Sequence, residues 1–219
     1  MSAPAAAVQE GSSGQPIGEP ASAVSDRSVG WAPSVGRNLA SVQLVIEVGG
    51  NPSAMSGNRK LFLLRHAKSS WDEPALADHD RPLSPRGRKA AKRIGAHMRR
   101  EQIRVALVLC SSARRARETL DLVAAPGEVR IEHELYGATA AELLEHLRRV
   151  PDDICAMMLI GHEPAIRDLA VWLVGGGSEL ADRKFPTAAL ATLTFTGPWS
   201  TLAPNHAQLA AFVKPRELT

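Results

Sequence analysis

The sequence contains no apolar run long enough to cross a bilayer, since its longest uninterrupted apolar stretches have the length of a strand. Residues 1–10 include no basic residue, so they do not predict a secretory signal peptide. Cysteine is scarce: Cys110 and Cys155 are the two present, and both fall inside apolar runs. We predict that they are buried free thiols, with a single disulfide as the alternative. We therefore expect a cytoplasmic protein without membrane association.

Aromatic residues make up 4% of the chain, and its four tryptophans are not spaced as a platform for stacked bases. Single-stranded nucleic acid is therefore not an expected partner. The net charge is +3 for the whole chain and −2 for residues 1–58, which leaves +5 for residues 59–219. This modest positive charge suits an anionic substrate, although a solvated basic surface accounts for it equally well.

Residues 1–58 differ in composition from the rest of the chain, because they are rich in Ala, Ser, Gly and Pro and show no sustained hydrophobic period. Such a segment cannot bury enough apolar surface to offset its ordering entropy, so we predict a disordered N-terminal extension. Residues 42–48 are an exception that alternates like a strand. Met55 offers a second explanation, a start codon assigned too far upstream. The folded domain is predicted to be residues 59–219, which is enough for one sizeable core.

Three apolar runs of strand length, residues 61–64, 105–110 and 154–160, are each followed by basic residues and a predicted helix. In open α/β sheets the carboxyl ends of the strands form the edge where ligands bind. Guanidinium groups hold phosphate oxygens in bidentate fashion, and a neutral imidazole is a nucleophile. The pattern therefore predicts a dianion pocket that contains a nucleophile, formed by Arg65, His66, Arg115 and His162.

Strand-like and helix-like segments alternate along the predicted domain. Ser84 and Pro85 predict the start of a helix that continues to about residue 100. Thr139 and Glu142 have the spacing of a capping box. A further helix is predicted after Glu163, and residues 190–196 and 208–213 are predicted strands. This alternation predicts an α/β fold, a three-layer α/β/α sandwich with a mostly parallel central sheet.

Three motifs, in this order and each after a predicted strand, resemble the histidine phosphatase superfamily. Residues 65–67 (RHA) are similar to its Arg-His-Gly signature with Ala in place of Gly, and residues 111–116 (SSARRA) are similar to its Ser-x-x-x-Arg-Ala element. Residues 161–162 (GH) match its second histidine. The resemblance extends from about residue 60 to about residue 215, and it is to the small SixA-type phosphohistidine phosphatases. It implies a phosphoglycerate mutase-like fold.

The resemblance also implies roles for individual residues. His66 would form a phosphohistidine intermediate, while Arg65, Arg115 and His162 would hold the phosphoryl oxygens. Ser69 matches a phosphate-binding polar residue of larger family members. Two further positions, Glu134 and Asp72, have a less direct match.

Glu134 is the nearest match to the family's proton donor. Asp72 stands where many members have a phosphate-binding Asn, and we expect its carboxylate to point away from the phosphate. The His79 loop is predicted to shape the pocket rim rather than to bind a metal. Neither a metal nor another cofactor is expected.

The leading hypothesis is a metal-independent phosphatase that acts on phosphohistidine in a partner protein. The chain between Arg115 and His162 is too short for the lid insertions of metabolite phosphatases, and this favours a protein substrate. One alternative is a small-molecule phosphomonoesterase with the same mechanism. Another is a noncatalytic module that binds phosphate or a phosphopeptide, against which the retained His66 argues, since a pure binder needs cations more than a nucleophile.

Overall fold

The central feature of the fold is a six-stranded mixed sheet. The computed structural model describes residues 57–175, 180 and 184–218. Most of the predicted extension, all of its strand-like residues 42–48, and residues 176–177 therefore lie outside the described residues. The strands are β1 (Asn58–Arg65), β2 (Leu107–Ser111), β3 (Glu128–Glu132), β4 (Ala156–Gly161), β5 (Leu190–Thr196) and β6 (Gln208–Val213). The α-helices are α1 (Pro85–Arg100), α2 (Arg114–Val123), α3 (Ala140–Arg148) and α4 (Ala165–Val174).

The strands lie in the order β3-β2-β4-β1-β5-β6. The first four are parallel, whereas β5 runs antiparallel to β1 and β6 antiparallel to β5. Successive residues of β1 alternate between the two faces of the sheet. Leu61 and Leu63 pack with α3 and α4, while Phe62 and Leu64 pack with α1 and α2. The α/β fold class, with helices on both sides of a mostly parallel sheet, is confirmed.

The predicted helix ends agree closely with the structure. The Ser84 hydroxyl accepts a hydrogen bond from the Gly87 amide at 3.1 Å, and Pro85 is the first residue of α1. The capping box at Thr139 and Glu142 is present at the start of α3. A side chain at Gly87 would collide with the Lys68 carbonyl oxygen, so glycine allows α1 to begin directly against the loop that follows β1.

The two cysteines differ in exposure. Cys110 is buried in β2, Cys155 is exposed, and both are free thiols. The prediction that both are buried is wrong for Cys155, because β4 begins at Ala156 and the first two residues of the apolar run, 154 and 155, belong to the preceding loop. The disulfide alternative is also wrong. Within the described ranges, no helix is both long and apolar enough to span a membrane.

Candidate active site

His66 lies directly after β1, with its side chain oriented by one backbone oxygen. The residue is 9% exposed, and its Nδ1 lies 2.7 Å from the Ala67 carbonyl oxygen. A carbonyl oxygen accepts but cannot donate, so Nδ1 carries the ring proton and donates it to Ala67. The Nε2 lone pair is therefore left available for attack on phosphorus.

The surroundings of His66 keep its imidazole neutral. Burial, followed in effect by the neighbouring His162, Arg115 and Arg65, lowers its pKa to about 3, although the hydrogen bond to Ala67 opposes this change. A protonated imidazole has no lone pair at Nε2, so a depressed pKa maintains the nucleophilic form at neutral pH.

Arg65, the last residue of β1, lies between a carbonyl oxygen and a carboxylate. Its Nη1 donates a hydrogen bond to the Phe185 carbonyl oxygen at 2.6 Å and lies 3.8 Å from Glu163 Oε2. Among the described residues, Arg65 Nε and Glu163 Oε2 are buried polar atoms without a hydrogen-bond partner. Burial raises the pKa of Glu163, although the Arg65 charge opposes this change. Sequence reasoning did not identify Glu163 as a residue of the site.

Arg115 is the one arginine of the SSARRA motif that faces the site. It is buried, whereas Arg114 and Arg117 are exposed on α2. The Arg115 guanidinium donates to the Asp78 carbonyl oxygen, and its Nη2 donates to Asp78 Oδ2 at 2.9 Å. The same Nη2 lies 3.4 Å from His162 Nδ1. Arg115 therefore lies beside His162, and its role as a phosphate ligand stays a prediction.

His162 follows β4 and lies beside the nucleophile. Its ring centroid is 4.8 Å from that of His66, and its Nε2 is 2.8 Å from Ser111 Oγ. Since Nδ1 faces Arg115, which can only donate, Nδ1 carries a lone pair and Nε2–H donates to Ser111. Burial lowers the pKa of His162 to about 4, with the Arg115 charge next in effect and Asp78 opposing it.

Asp78 connects the loop after β1 to Arg115, and sequence reasoning did not identify it. Its Oδ1 accepts from Arg81 at 2.9 Å, and its Oδ2 accepts from the Tyr136 hydroxyl at 3.0 Å. Burial raises the pKa of Asp78, but hydrogen bonds from Arg81 and Tyr136 and the Arg115 charge outweigh this effect and lower it to about 2. Asp78 is thus a permanent anion at neutral pH and fixes the position of Arg115.

An aromatic rim covers the Arg115 side of the site. The Tyr136 ring packs edge-on against His79 and His162, with centroid distances of 4.9 and 5.6 Å. His79 Nε2 lies 3.0 Å from Ser112 Oγ. These contacts agree with the prediction that the His79 loop shapes the pocket rim. The sequence did not single out Asp78, because residues 78–80 (DHD) resemble an ordinary polar surface loop.

Two of the predicted site residues are not joined to the others by a contact. Ser69 Oγ accepts a hydrogen bond from Arg81 Nη2 at 2.9 Å. Glu134 is exposed and borders a groove that includes Arg130 and His146. In the described part of the chain, neither residue has a hydrogen bond or ion pair with Arg65, His66, Arg115 or His162, so their proposed roles stay predictions.

The nucleophile loop is anchored to α2 through Thr119, which sequence reasoning also missed. The Ala67 amide donates to Thr119 Oγ1 at 3.0 Å, and that hydroxyl donates to the Arg115 carbonyl oxygen at 2.6 Å. Both Ala67 and Thr119 are fully buried. The methyl group of Ala67, at the position of the family's glycine, is thereby accommodated in the core beside α1 and α2.

The side chains of the described residues include no group of three or more His, Cys, Asp and Glu that could hold a metal ion. The positive groups at the site are Arg65, which directly precedes His66 in the chain, and Arg115, whose Nη2 lies 3.4 Å from His162 Nδ1. Such fixed cations can neutralise the oxygens of a phosphoryl group during transfer. The arrangement therefore combines a neutral nucleophile with a dianion site.

Comparisons with known proteins agree with this chemistry. A profile of the histidine phosphatase superfamily (branch 1) matches residues 61–137. An uncharacterised protein of Mycobacterium tuberculosis is 39% identical over 159 residues, which covers 70% of this chain and 100% of that protein. This chain therefore spans the full length of that relative.

Two solved structures extend the comparison. A candidate SixA phosphohistidine phosphatase from Nakamurella multipartitia is 35% identical with a TM-score of 0.67, covering 73% of this chain and 97% of that chain. A second, from Agrobacterium tumefaciens, is 27% identical with a TM-score of 0.63, covering 72% and 98%. The chain belongs to the histidine phosphatase superfamily, is of the SixA type, and is a phosphatase with a histidine nucleophile.

Proposed function

We propose that this phosphatase removes the phosphoryl group from phosphohistidine on a partner protein. The observation that carries the proposal is the oriented, neutral His66, which experiences the charges of Arg65 and Arg115 and, among the described residues, has no carboxyl group in hydrogen-bond contact. A phosphohistidine substrate does not require such an acid, because a protonated imidazole is already a good leaving group. The similarity to candidate SixA phosphohistidine phosphatases supports the same substrate.

The proposed reaction has two steps. In the first, His66 Nε2 attacks phosphorus in line, the P–N bond of the substrate breaks, and the substrate imidazole departs with its proton. In the second, water attacks phosphorus on His66 and releases inorganic phosphate, which restores the neutral ring. Arg65 and Arg115 neutralise the phosphoryl oxygens in both steps. His162 Nδ1 faces the same space and donates a hydrogen bond to the phosphoryl group once it is protonated.

The architecture around the site also favours a protein substrate. The 46 residues between Arg115 and His162, positions 116–161, form the rest of α2, then β3, α3 and β4 with short connections. They contribute no lid segment over the site within the described ranges. A site without a lid from this segment would admit a histidine that projects from a folded surface. A cytoplasmic location remains a prediction from the sequence.

A second candidate function is the hydrolysis of a small phosphomonoester, and Glu163 favours it. Its buried Oε2 lies 3.8 Å from Arg65, and burial raises its pKa. A carboxyl group with a raised pKa keeps its proton to a higher pH than an ordinary one, and the protonated form can donate to an alcohol leaving group. This route predicts that Glu163→Gln damages the hydrolysis of alkyl phosphates.

The two candidates are separated by their leaving groups. The full chain would be assayed on a phosphohistidine-bearing protein, on free phosphohistidine and on glycerol phosphate, with His66→Ala as the blank. Our proposal predicts the highest kcat/KM on the protein and a minor effect of Glu163→Gln on that activity. A higher kcat/KM on glycerol phosphate that depends on Glu163 would establish the second function instead.

The same assay tests the metal-free mechanism. Excess chelator is expected to leave the activity unchanged, because the guanidinium groups of Arg65 and Arg115 supply the positive charge that a metal would provide. Vanadate or tungstate is expected to inhibit by occupying the phosphoryl site. Loss of activity on dialysis against chelator, followed by recovery with a divalent cation, would refute this mechanism.

A further inference from the structure

A strongly basic groove runs along the outer side of α1. Its volume is about 230 Å³, and its wall residues come from α1, from the loop after β1, from residues 186–187 and from the C-terminal segment. Apart from its cationic side chains, the wall that the described residues form includes Pro, Thr and Ala but no aromatic ring. The cationic side chains of this basic groove are Lys68, Arg86, Lys89, Arg93, Lys214 and Arg216.

Few acidic groups balance these charges. Lys214 Nζ pairs with Glu217 Oε1 at 3.0 Å, and Arg93 Nη1 donates to the Pro215 carbonyl oxygen at 3.5 Å. Over the described ranges, the remaining four cations have no ion pair. Like charges held together repel each other, and they also attract a polyanion from solution. Glu217 is thus the one acidic partner of the groove's cations within the described residues.

The basic groove begins beside the nucleophile. Lys68 is two residues after His66, and its carbonyl oxygen accepts a hydrogen bond from the Ser84 amide at 2.9 Å, at the start of α1. On the opposite wall, residues 186–187 follow Phe185, whose carbonyl oxygen binds Arg65. The Ala188 amide donates to the His66 carbonyl oxygen at 3.2 Å. An extended ligand in the groove would therefore lead directly to the catalytic loop.

We propose that the basic groove docks an acidic segment of the protein that carries the phosphohistidine. This inference rests on the proposed function and adds the character of its substrate: a carboxylate-rich surface beside the modified histidine. Arg86, Lys89 and Arg93 are spaced along one side of α1 over about 10 Å, which suits an extended chain of charges better than one phosphate.

The composition of the groove favours a polypeptide over a nucleic acid. Single-stranded nucleic acids are held by aromatic rings that stack on their bases, and no ring lines this groove. Lysine and arginine side chains on an exposed helix accommodate carboxylates of varied position. Such contacts mainly raise the association rate and are screened by salt.

The test compares Arg86→Glu/Lys89→Glu with Arg99→Glu/Arg104→Glu, which makes the same change in net charge. Arg99 and Arg104 are exposed at the other end of α1 and just beyond it, outside the groove. Each variant would be assayed on an acidic phosphohistidine-bearing protein and on free phosphohistidine, after a thermal melt that confirms folding. The free amino acid has the same leaving group but cannot reach along the groove.

We expect the groove variant to lose at least about tenfold in kcat/KM on the protein, equal to about 1.4 kcal/mol, with free phosphohistidine unaffected. The control variant is expected to lose less than about twofold on either substrate. Raising the salt concentration from 50 to 300 mM should lower kcat/KM for the wild-type chain on the protein substrate alone. Equal losses in the two variants, or no loss in the groove variant, would overturn the docking proposal.

Direct binding separates failure of the docking from failure of the proposed function. A fluorescein-labelled peptide of ten glutamates would be titrated into each variant at 50 mM salt. Activity on neither phosphohistidine substrate would refute the proposed function, while the peptide would still report on the groove. Docking is refuted if the peptide binds the groove variant as tightly as the wild-type chain, or if an oligonucleotide of equal charge binds the groove more tightly.

Discussion

The Arg115 guanidinium donates two hydrogen bonds to Asp78, one to its carbonyl oxygen and one to its carboxylate. Because hydrogen bonds between charged groups contribute about 1.5–3 kcal/mol, Asp78 is expected to fix the orientation of Arg115. The same carboxylate also binds Arg81, so it connects the loop after β1 to the phosphate site.

We predict that Asp78→Asn lowers kcat/KM about tenfold, because the amide cannot accept from Arg81 and Arg115 through two equivalent oxygens. Asp80→Asn, two residues further along the same loop and without a contact to Arg115 among the described residues, serves as the control and should change kcat/KM less than twofold. An unchanged or higher kcat/KM in Asp78→Asn would show that its negative charge hinders phosphate binding more than it helps Arg115.

His66→Ala is predicted to abolish turnover and leave the domain folded. The substitution removes the nucleophile, so kcat should fall by about 10⁴-fold or more. The imidazole is polar and sits at the edge of the core, so the far-UV circular dichroism spectrum should be retained. Activity within about tenfold of the wild-type value would exclude a covalent intermediate on His66.

The three arginines of α2 give a test of register. Arg115→Ala should lower kcat/KM by about 10²–10³, since it removes a positively charged hydrogen-bond donor that stabilises the transition state. Arg114 pairs with Glu118 at 2.8 Å on the exposed side of the helix, and Arg117 lines a separate groove there. Alanine at either position should cost less than about threefold, and a larger loss in Arg114→Ala would contradict the structure.

The two active-site imidazoles are predicted to remain neutral in the free protein well below neutral pH. Their pKa values are lowered to about 3 for His66 and about 4 for His162, mainly by burial. An ordinary histidine titrates near 6.5. NMR signals of both rings should therefore stay constant between pH 7.5 and 5.5. A midpoint near 6.5 for either ring would contradict the burial that the structure shows.

These lowered pKa values also determine how the free energy of unfolding changes with pH. Below about pH 6.5 the unfolded chain binds protons at His66 and His162, whereas the native chain does not until about pH 3 and 4. The contribution of the two neutral rings to the free energy of unfolding is therefore fully present above pH 6.5, and it decreases as the pH falls. Urea titrations at pH 7 and 5 should show the decrease, with less of it in His66→Gln.

A chain that begins at Met55 is predicted to fold and to react like the full chain. Residues 1–54 contain no motif of the site and no periodic core pattern. The melting temperatures should agree within about 3 °C, on the order of 1 kcal/mol for a domain of this size. A larger decrease would show that the strand-like residues 42–48 stabilise the domain.

The sequence by itself determined the fold class and the central site residues. Strand-length apolar runs that end in Arg65-His66 and Gly161-His162 follow from local pattern, and parallel strands place such ends at one edge of the sheet. The three motifs then distinguished Arg115 from its neighbours. The helix starts at Ser84 and Thr139 could also be predicted from nearby residues, because capping depends on residues within one turn.

Only the tertiary structure decided which other residues join them. Asp78, Thr119 and Tyr136 contribute through contacts across 37 to 58 sequence positions, and no local pattern encodes such pairs. The exposure of Cys155 depended on where β4 begins, which an apolar run does not fix. The basic groove was likewise invisible in the sequence, since its charges come from three separate segments, the loop after β1, α1 and the C-terminal residues, which only tertiary packing brings together.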